Sequence, residues 1–210
     1  MQISAVAGPE IGTLWDNGWE DGAEGLLLPF HNGDAECIPG YYARPFLRYN
    51  ARAGTDYSIS RTFNDGKGLS VDDIFFQDAR YAIVLQADSI PIAIESFEFY
   101  PDRTIKVVQI QGRNMSKRNS VMEERAAYDE IRKIWWEGLL LAYLADWAWT
   151  IEAKRVSVQA AKANEYYKRG AKLDRSEMLL NRRLERRYDG TSKALGFLPS
   201  LDESYFYLDL

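Results

Sequence analysis

The chain has 210 residues, enough for one domain with its own core. Hydrophobic residues make up 46% and charged residues 27%, the balance of an ordinary globular chain. Its single cysteine, Cys37, excludes an internal disulfide framework, and its single histidine, His31, excludes a His-rich zinc site. No metal is expected. A Cys37–His31 nucleophile pair would sit in a glycine-rich stretch with no motif around it; the plainer reading is a loop histidine and a buried cysteine. No apolar run approaches the roughly 20 residues that cross a bilayer. The longest, from Trp135 to Trp149, is broken by Glu137 and Asp146. The opening residues, MQISAVAGPEIG, lack a basic stretch followed by a long apolar one. The expectation is a chain without a signal peptide, in a reducing, cytoplasmic setting.

Charge is spread unevenly. Residues 1–43 carry seven acids and no Lys or Arg, whereas residues 151–190 carry eleven Lys/Arg against six acids, a net of +5. The basic part reads first as a solvated helix face and second as an attractor of phosphates. The overall charge of −5 argues against a general nucleic-acid binder.

In chain order, residues 1–79 are rich in turn formers, with short strands expected at 26–30 and 57–63 and a short helix or loop at 72–78. Residues 81–86 (YAIVLQ), 90–99 (IPIAIESFEF) and 104–111 (TIKVVQIQ) read as three strands. Turns this short between them require an antiparallel meander. Ser120 with Glu123 matches a capping box and predicts the start of a long helix. Along it Ile131, Ile134, Trp135, Gly138, Leu139, Ala142, Ala145 and Trp149 form a stripe at helical spacing, so the tryptophans are expected to pack on a sheet. Residues 155–160 (RVSVQA) form a buried strand, parallel and adjacent to the third strand across that helix. A second helical region is expected from Asn164 to about Tyr188, then a glycine cap at Gly196 and a final strand at 204–208.

Three stretches in this order carry a resemblance. They are Val107-Val108-Gln109-Ile110-Gln111-Gly112-Arg113-Asn114, then Val156-Ser157-Val158-Gln159-Ala160-Ala161 followed by Asn164, then Ala194-Leu195-Gly196-Phe197. Over residues 80–210 the chain resembles the GNAT N-acyltransferase superfamily. The first stretch is similar to its pyrophosphate loop, the second to the strand and Asn after the cofactor helix, and the third to its Leu-Gly-Phe. The resemblance implies an α/β fold with a mixed, mainly antiparallel central sheet flanked by helices. Residues 1–79 would then belong to the same domain and supply the acceptor side, and residues 80–210 would form the acyl-CoA-binding core.

The resemblance also implies chemistry. The cofactor is acetyl-CoA or another acyl-CoA, held by Val107, Val108, Gln109, Gln111, Gly112, Arg113, Asn114, Lys117, Arg118 and Asn164. Backbone N–H groups beside a glycine can cradle phosphates, and the basic residues suit them. The acceptor is a small-molecule or peptidic amine; neither nucleic acid nor membrane is a partner, and a homodimer is compatible. Glu95 or Glu98 would take the proton of the amine. They lie three positions apart on one strand, so at most one faces the cleft. The thiolate is expected to take its proton from Tyr188 or Tyr167, because the family's usual Tyr position holds Ser192. The helix start is displaced too, since extra residues follow Gly112. Two alternatives stand beside the acyltransferase: a domain that has lost catalysis and serves as an interaction module, and an acyltransferase whose donor is an acyl carrier protein.

Overall fold

The computed structural model describes residues 35–48, 55–63, 70–71, 75–113, 125, 129–170 and 172–210. The strand expected at 26–30, His31, the capping box of Ser120 and Glu123, and Asn114, Lys117 and Arg118 lie outside the described residues.

The fold is α/β, built on a mixed, mainly antiparallel sheet of eight strands. Its strands are β1 (Glu36–Cys37), β2 (Tyr57–Phe63), β5 (Tyr81–Ala87), β6 (Ile90–Tyr100), β7 (Thr104–Gly112), β8 (Arg155–Gln159), β9 (Leu198–Pro199) and β10 (Tyr205–Asp209). They lie side by side in the order β1-β2-β5-β6-β7-β8-β10-β9. β3 (Ser70–Val71) and β4 (Phe75–Phe76) form a separate pair, and β4 falls within residues 72–78, where the sequence suggested a short helix or loop. Phe75 is buried on a second, smaller apolar cluster with Ala82, Val84 and Ile94, so burial of its ring favours the extended form.

Local chemistry explains the meander. Asp88 and Ser89 both have positive φ (49° and 66°), the two-residue turn whose twist matches antiparallel strands. Arg103 (φ 64°) closes the next connection, its N–H donating to Tyr100 O at 3.0 Å. β2 pairs with β5 along all seven of its residues, which joins the N-terminal part of the chain to the same sheet. Among the described residues every strand pairing is antiparallel except β7 with β8, whose crossover contains helix α2 (Trp136–Thr150). Other helices among the described residues are α1 (Gly40–Ala43), α3 (Arg175–Glu185) and α4 (Thr191–Ala194).

The start expected at Ser120 lies outside the described residues, but the helix that packs on the sheet begins only at Trp136. Residues 125 and 129–131 are helical, and Ile134 then forms a bridge with Leu47. The Trp135 N–H donates to Phe46 O at 2.7 Å and the Arg48 N–H to Lys133 O, so this backbone is bonded across to residues 46–48 and is lost to the helix. From Trp136 the helix is buried around most of its girth: Leu139, Leu140, Leu141 and Leu144 are all fully inaccessible. A helix so enclosed has no single apolar stripe. Trp147 packs on Phe97 and Phe99, but Trp149, expected on the sheet, is 67% exposed. Cys37, expected to be buried, is exposed on the edge strand β1.

The second helical region is shorter than expected. Asn164 ends a single 3-10 turn, its Oδ1 accepting from the Tyr166 N–H at 3.0 Å. Helix α3 starts instead at a capping box. Asp174 accepts from the N–H groups of Ser176 and Glu177, and the Glu177 carboxylate accepts from the Asp174 N–H. At the far end, Gly196 (φ +85°) closes α4: its N–H donates to Lys193 O and the Phe197 N–H to Ser192 O, the paired bonds of a left-handed cap.

Gly112 holds the end of β7 under the start of α2. A Cβ there would lie 2.7 Å from Ile131 Cδ1 and 2.8 Å from Trp136 Cζ2. Gly112→Ala is therefore expected to lower stability by about 1–3 kcal/mol through overpacking, read as a reduced urea midpoint with an unchanged slope.

Candidate functional site

The site begins with one extra residue. On β6 and β7, Phe97 faces Val107 and Ser96 faces Gln109, so Val108 has no opposite number. This is a β-bulge, which bends its strand and ends pairing nearby. The consequence appears on the other side of β7. Its parallel ladder with β8 runs from Thr104↔Arg155 to Val107↔Val158 and stops there, while β7 continues to Gly112. Beyond the bulge the two strands part and leave a wedge.

Ile110 lies in that wedge. The N–H and C=O of a single strand residue point the same way, and those of Ile110 point away from β6. Two side chains take them. The Ile110 N–H donates to Tyr188 Oη at 3.0 Å, and Arg187 Nη1 donates to Ile110 O at 3.3 Å. Both side chains come from Arg186–Gly190, a π-helical turn that interrupts the run from α3 into α4. A π turn adds a residue to the helical repeat and turns the following side chains to a new direction. The Arg187 guanidinium also lies over the Trp136 ring, 5.3 Å from its centroid.

The surroundings are buried and polar. Glu95, opposite Ile110 on β6, is fully inaccessible, and neither carboxylate oxygen has a partner among the described residues. Burial pushes its carboxyl well above the ordinary value of 4.5. Glu137, in the first turn of α2, has an unpartnered Oε2; burial raises its carboxyl, opposed by its backbone bond and by Arg187. Burial likewise lowers Arg187, whose Nε is unpartnered. Ser192, one turn beyond Tyr188, is fully buried with an unpartnered Oγ. Burial raises the Tyr188 phenol, partly offset by the Ile110 N–H, and both Asp78 and Glu95 raise it further. Its hydroxyl therefore keeps its proton at neutral pH.

The predicted residues divide. Tyr188 and Glu95 come together at the wedge. Tyr167 does not join them; its hydroxyl donates to Glu185 Oε1 at 2.7 Å. Glu98 faces away and accepts from the Arg80 N–H. Val107 is core, and Val108 is the bulge itself. Gln109 is buried in a polar chain: Ser96 Oγ and the Asp78 N–H donate to its Oε1, and its Nε2 donates to Gln111 Oε1 at 2.9 Å. The Arg113 guanidinium donates to Pro91 O, and the open side of Gly112 is filled by Ile131 and Trp136. Asn164 caps its own turn.

Sequence reasoning missed Ile110, Trp136, Glu137, Arg187 and Asp78. Asp78 is exposed, yet loss of hydration and the neighbouring Glu165 carboxylate hold its carboxyl above the ordinary range. No signal in the sequence separates these residues from core or surface positions, because the bulge and the π turn that assemble them have no residue signature here. No cluster suited to a metal ion occurs among the described residues, nor does any helix long and apolar enough to cross a membrane. No protein-family model matches this chain, and no curated protein matches it.

Glu95 gives a test with a definite sign. Its folded carboxyl titrates above its unfolded one, so between the two values the native state binds more protons. Stability then falls as pH rises from about 4.5 towards the folded value. Urea midpoints measured from pH 5 to 8 should decline for the wild type, with up to about 1.4 kcal/mol per pH unit arising from this group. Glu95→Gln should flatten that decline and be the more stable protein at neutral pH.

Proposed function

We propose that the protein is an acyl-CoA-dependent N-acyltransferase, and that the wedge between β7 and β8 is its acyl site. The observation that carries this reading is the bulge at Val108, which turns the backbone N–H of Ile110 out of the sheet beside a proton-bearing phenol. A parallel strand pair that parts past a bulge, together with the glycine-capped Leu195-Gly196-Phe197, fits the GNAT-like architecture that the motifs suggested.

In this reading the amine nitrogen attacks the thioester carbonyl carbon and the carbon–sulfur bond breaks. The Ile110 N–H stabilises the developing oxyanion once the incoming carbonyl has replaced Tyr188 as its acceptor. Tyr188 then gives its proton to the leaving thiolate. Glu95 is fully inaccessible, with neither carboxylate oxygen partnered among the described residues, so it is poorly placed to meet an incoming amine. Asp78 serves better: it is exposed, its carboxyl is raised towards neutrality, and its charge acts on Tyr188. Asp78 lies in the N-terminal part of the chain, which agrees with that part supplying the acceptor side. The setting we propose is cytoplasmic.

A second reading has its own observation. Trp136 and Ile131 fill the space beside Gly112, and Tyr188 already satisfies Ile110. A wedge closed in this way would suit a GNAT-like interaction module without catalysis.

Calorimetry with acetyl-CoA, followed by acetyl transfer to a panel of primary amines, separates the two. Acetyl-CoA should bind the wild type, and Tyr188→Phe should bind it while losing about 100-fold or more of the transfer rate. If the wild type binds no acetyl-CoA and transfers no acetyl group from it, the acyl-CoA reading falls, and the interaction module or a carrier-protein donor takes its place.

A further inference from the structure

We propose that the outer face of α3 docks an acidic carrier protein that presents its thioester to the wedge. This rests on the acyl-transfer reading above and adds a second thioester donor, beside acyl-CoA, for the same site.

The helix carries two distinct faces. At 3.6 residues per turn, Arg175, Met178, Leu179, Arg182, Arg183 and Arg186 fall within an arc of about 140°. All six are exposed. Met178 is 46% and Leu179 44% accessible, large values for apolar side chains. Leu184 and Asn181 occupy the opposite face and are buried. Asn181 fastens the helix to the preceding loop, accepting from the Lys168 N–H and donating to Lys168 O, both at 2.9 Å. Lys168, Arg169 and Lys172 on that loop extend the positive surface. The face is thus a stripe of guanidinium groups set around two apolar side chains, on a helix held from behind.

Three observations select the occupant. The stripe is strongly positive on a chain whose net charge is −5, so its charge is local and calls for an anionic partner. Exposed Met178 and Leu179 at its centre fit the apolar side chains of a protein better than a phosphate backbone, and no aromatic ring stands among the six for a base to stack on. The position is the third. α3 runs straight into the π turn that delivers Arg187 and Tyr188 to Ile110, so a protein seated on α3 holds its prosthetic arm at the mouth of the wedge. The bond changes stay as described: the thioester is cleaved, the amine is acylated, and the thiol remains on the carrier.

The test uses the full-length protein and an acidic acyl carrier protein in its apo, holo and acetyl-loaded forms, with binding measured by calorimetry at low and physiological salt. The wild type should bind the carrier, more weakly as salt rises. Arg182→Glu should weaken binding about tenfold or more, with Arg175→Glu as a second variant on the same face. Lys154→Glu, an equal charge change on an exposed residue at the other end of β8, should leave binding unchanged. Acetyl-CoA affinity should be the same in all three variants. No carrier binding by a wild type that does bind acetyl-CoA would overturn this inference and leave the wedge reading intact. Equal losses in Lys154→Glu and Arg182→Glu would overturn it as a mere net-charge effect. A single-stranded oligonucleotide that binds more tightly than the carrier, and is lost in Arg182→Glu, would assign the face to nucleic acid instead.

Discussion

Beyond its bulge, β7 has a backbone edge that β8 does not reach, and Ile110 lies on it. Buried N–H and C=O groups must find partners, and an orphan costs about 1–3 kcal/mol. In this fold the partners are Tyr188 and Arg187, which reach in from a helical segment far along the chain. That pair of bonds couples the sheet to the π turn and sets where α3 and α4 lie. It also brings a phenol and a guanidinium to a strand edge, an arrangement with no purely structural necessity, since a longer β8 would have satisfied the same groups.

Other polar groups collect around this point. Glu95, Glu137, Arg187 and Ser192 all hold buried polar atoms without partners among the described residues. Proteins keep such atoms scarce because each is costly. Their concentration about one wedge separates it from the rest of the interior, where Leu, Ile and Val pack β5 to β8 against α2. The contrast with the Glu36–Arg61–Tyr143 group is instructive. There the Arg61 guanidinium bonds to both Glu36 and Tyr143, and Tyr143 bonds to Glu36, a mutually bonded set that ties β1 and β2 to α2. In that group one atom, Arg61 Nε, lacks a partner among the described residues, whereas four residues about the wedge hold such atoms.

Trp136 links the wedge to the entrance of α2. Its ring lies against Gly112 and under Arg187, and its backbone opens the helix. The bonds between residues 46–48 and 133–135 place that ring by ending the preceding turn early. Gly112, named from the sequence as part of a phosphate loop, also gives that indole the room it occupies.

Much of the fold was legible from residue patterns. Alternation and turn chemistry identified β5, β6 and β7 and their antiparallel order, because period-two burial and short turns act within a few residues of each other. The parallel pairing of β8 followed from a strand, a helix and a strand in succession, and Gly196 announced a cap that only glycine tolerates well. Tyr188 and Glu95 were named as candidates, though each beside a rival that the sequence could not separate from it. What the sequence determined by itself was local: which segments are extended, where they turn, and which connection must cross over. Only the tertiary structure decided that Val108 bulges, that α2 waits until Trp136, and that Tyr188 rather than Tyr167 reaches Ile110. These depend on which distant backbone groups are left unbonded once the sheet has formed, and no nearby residue records that.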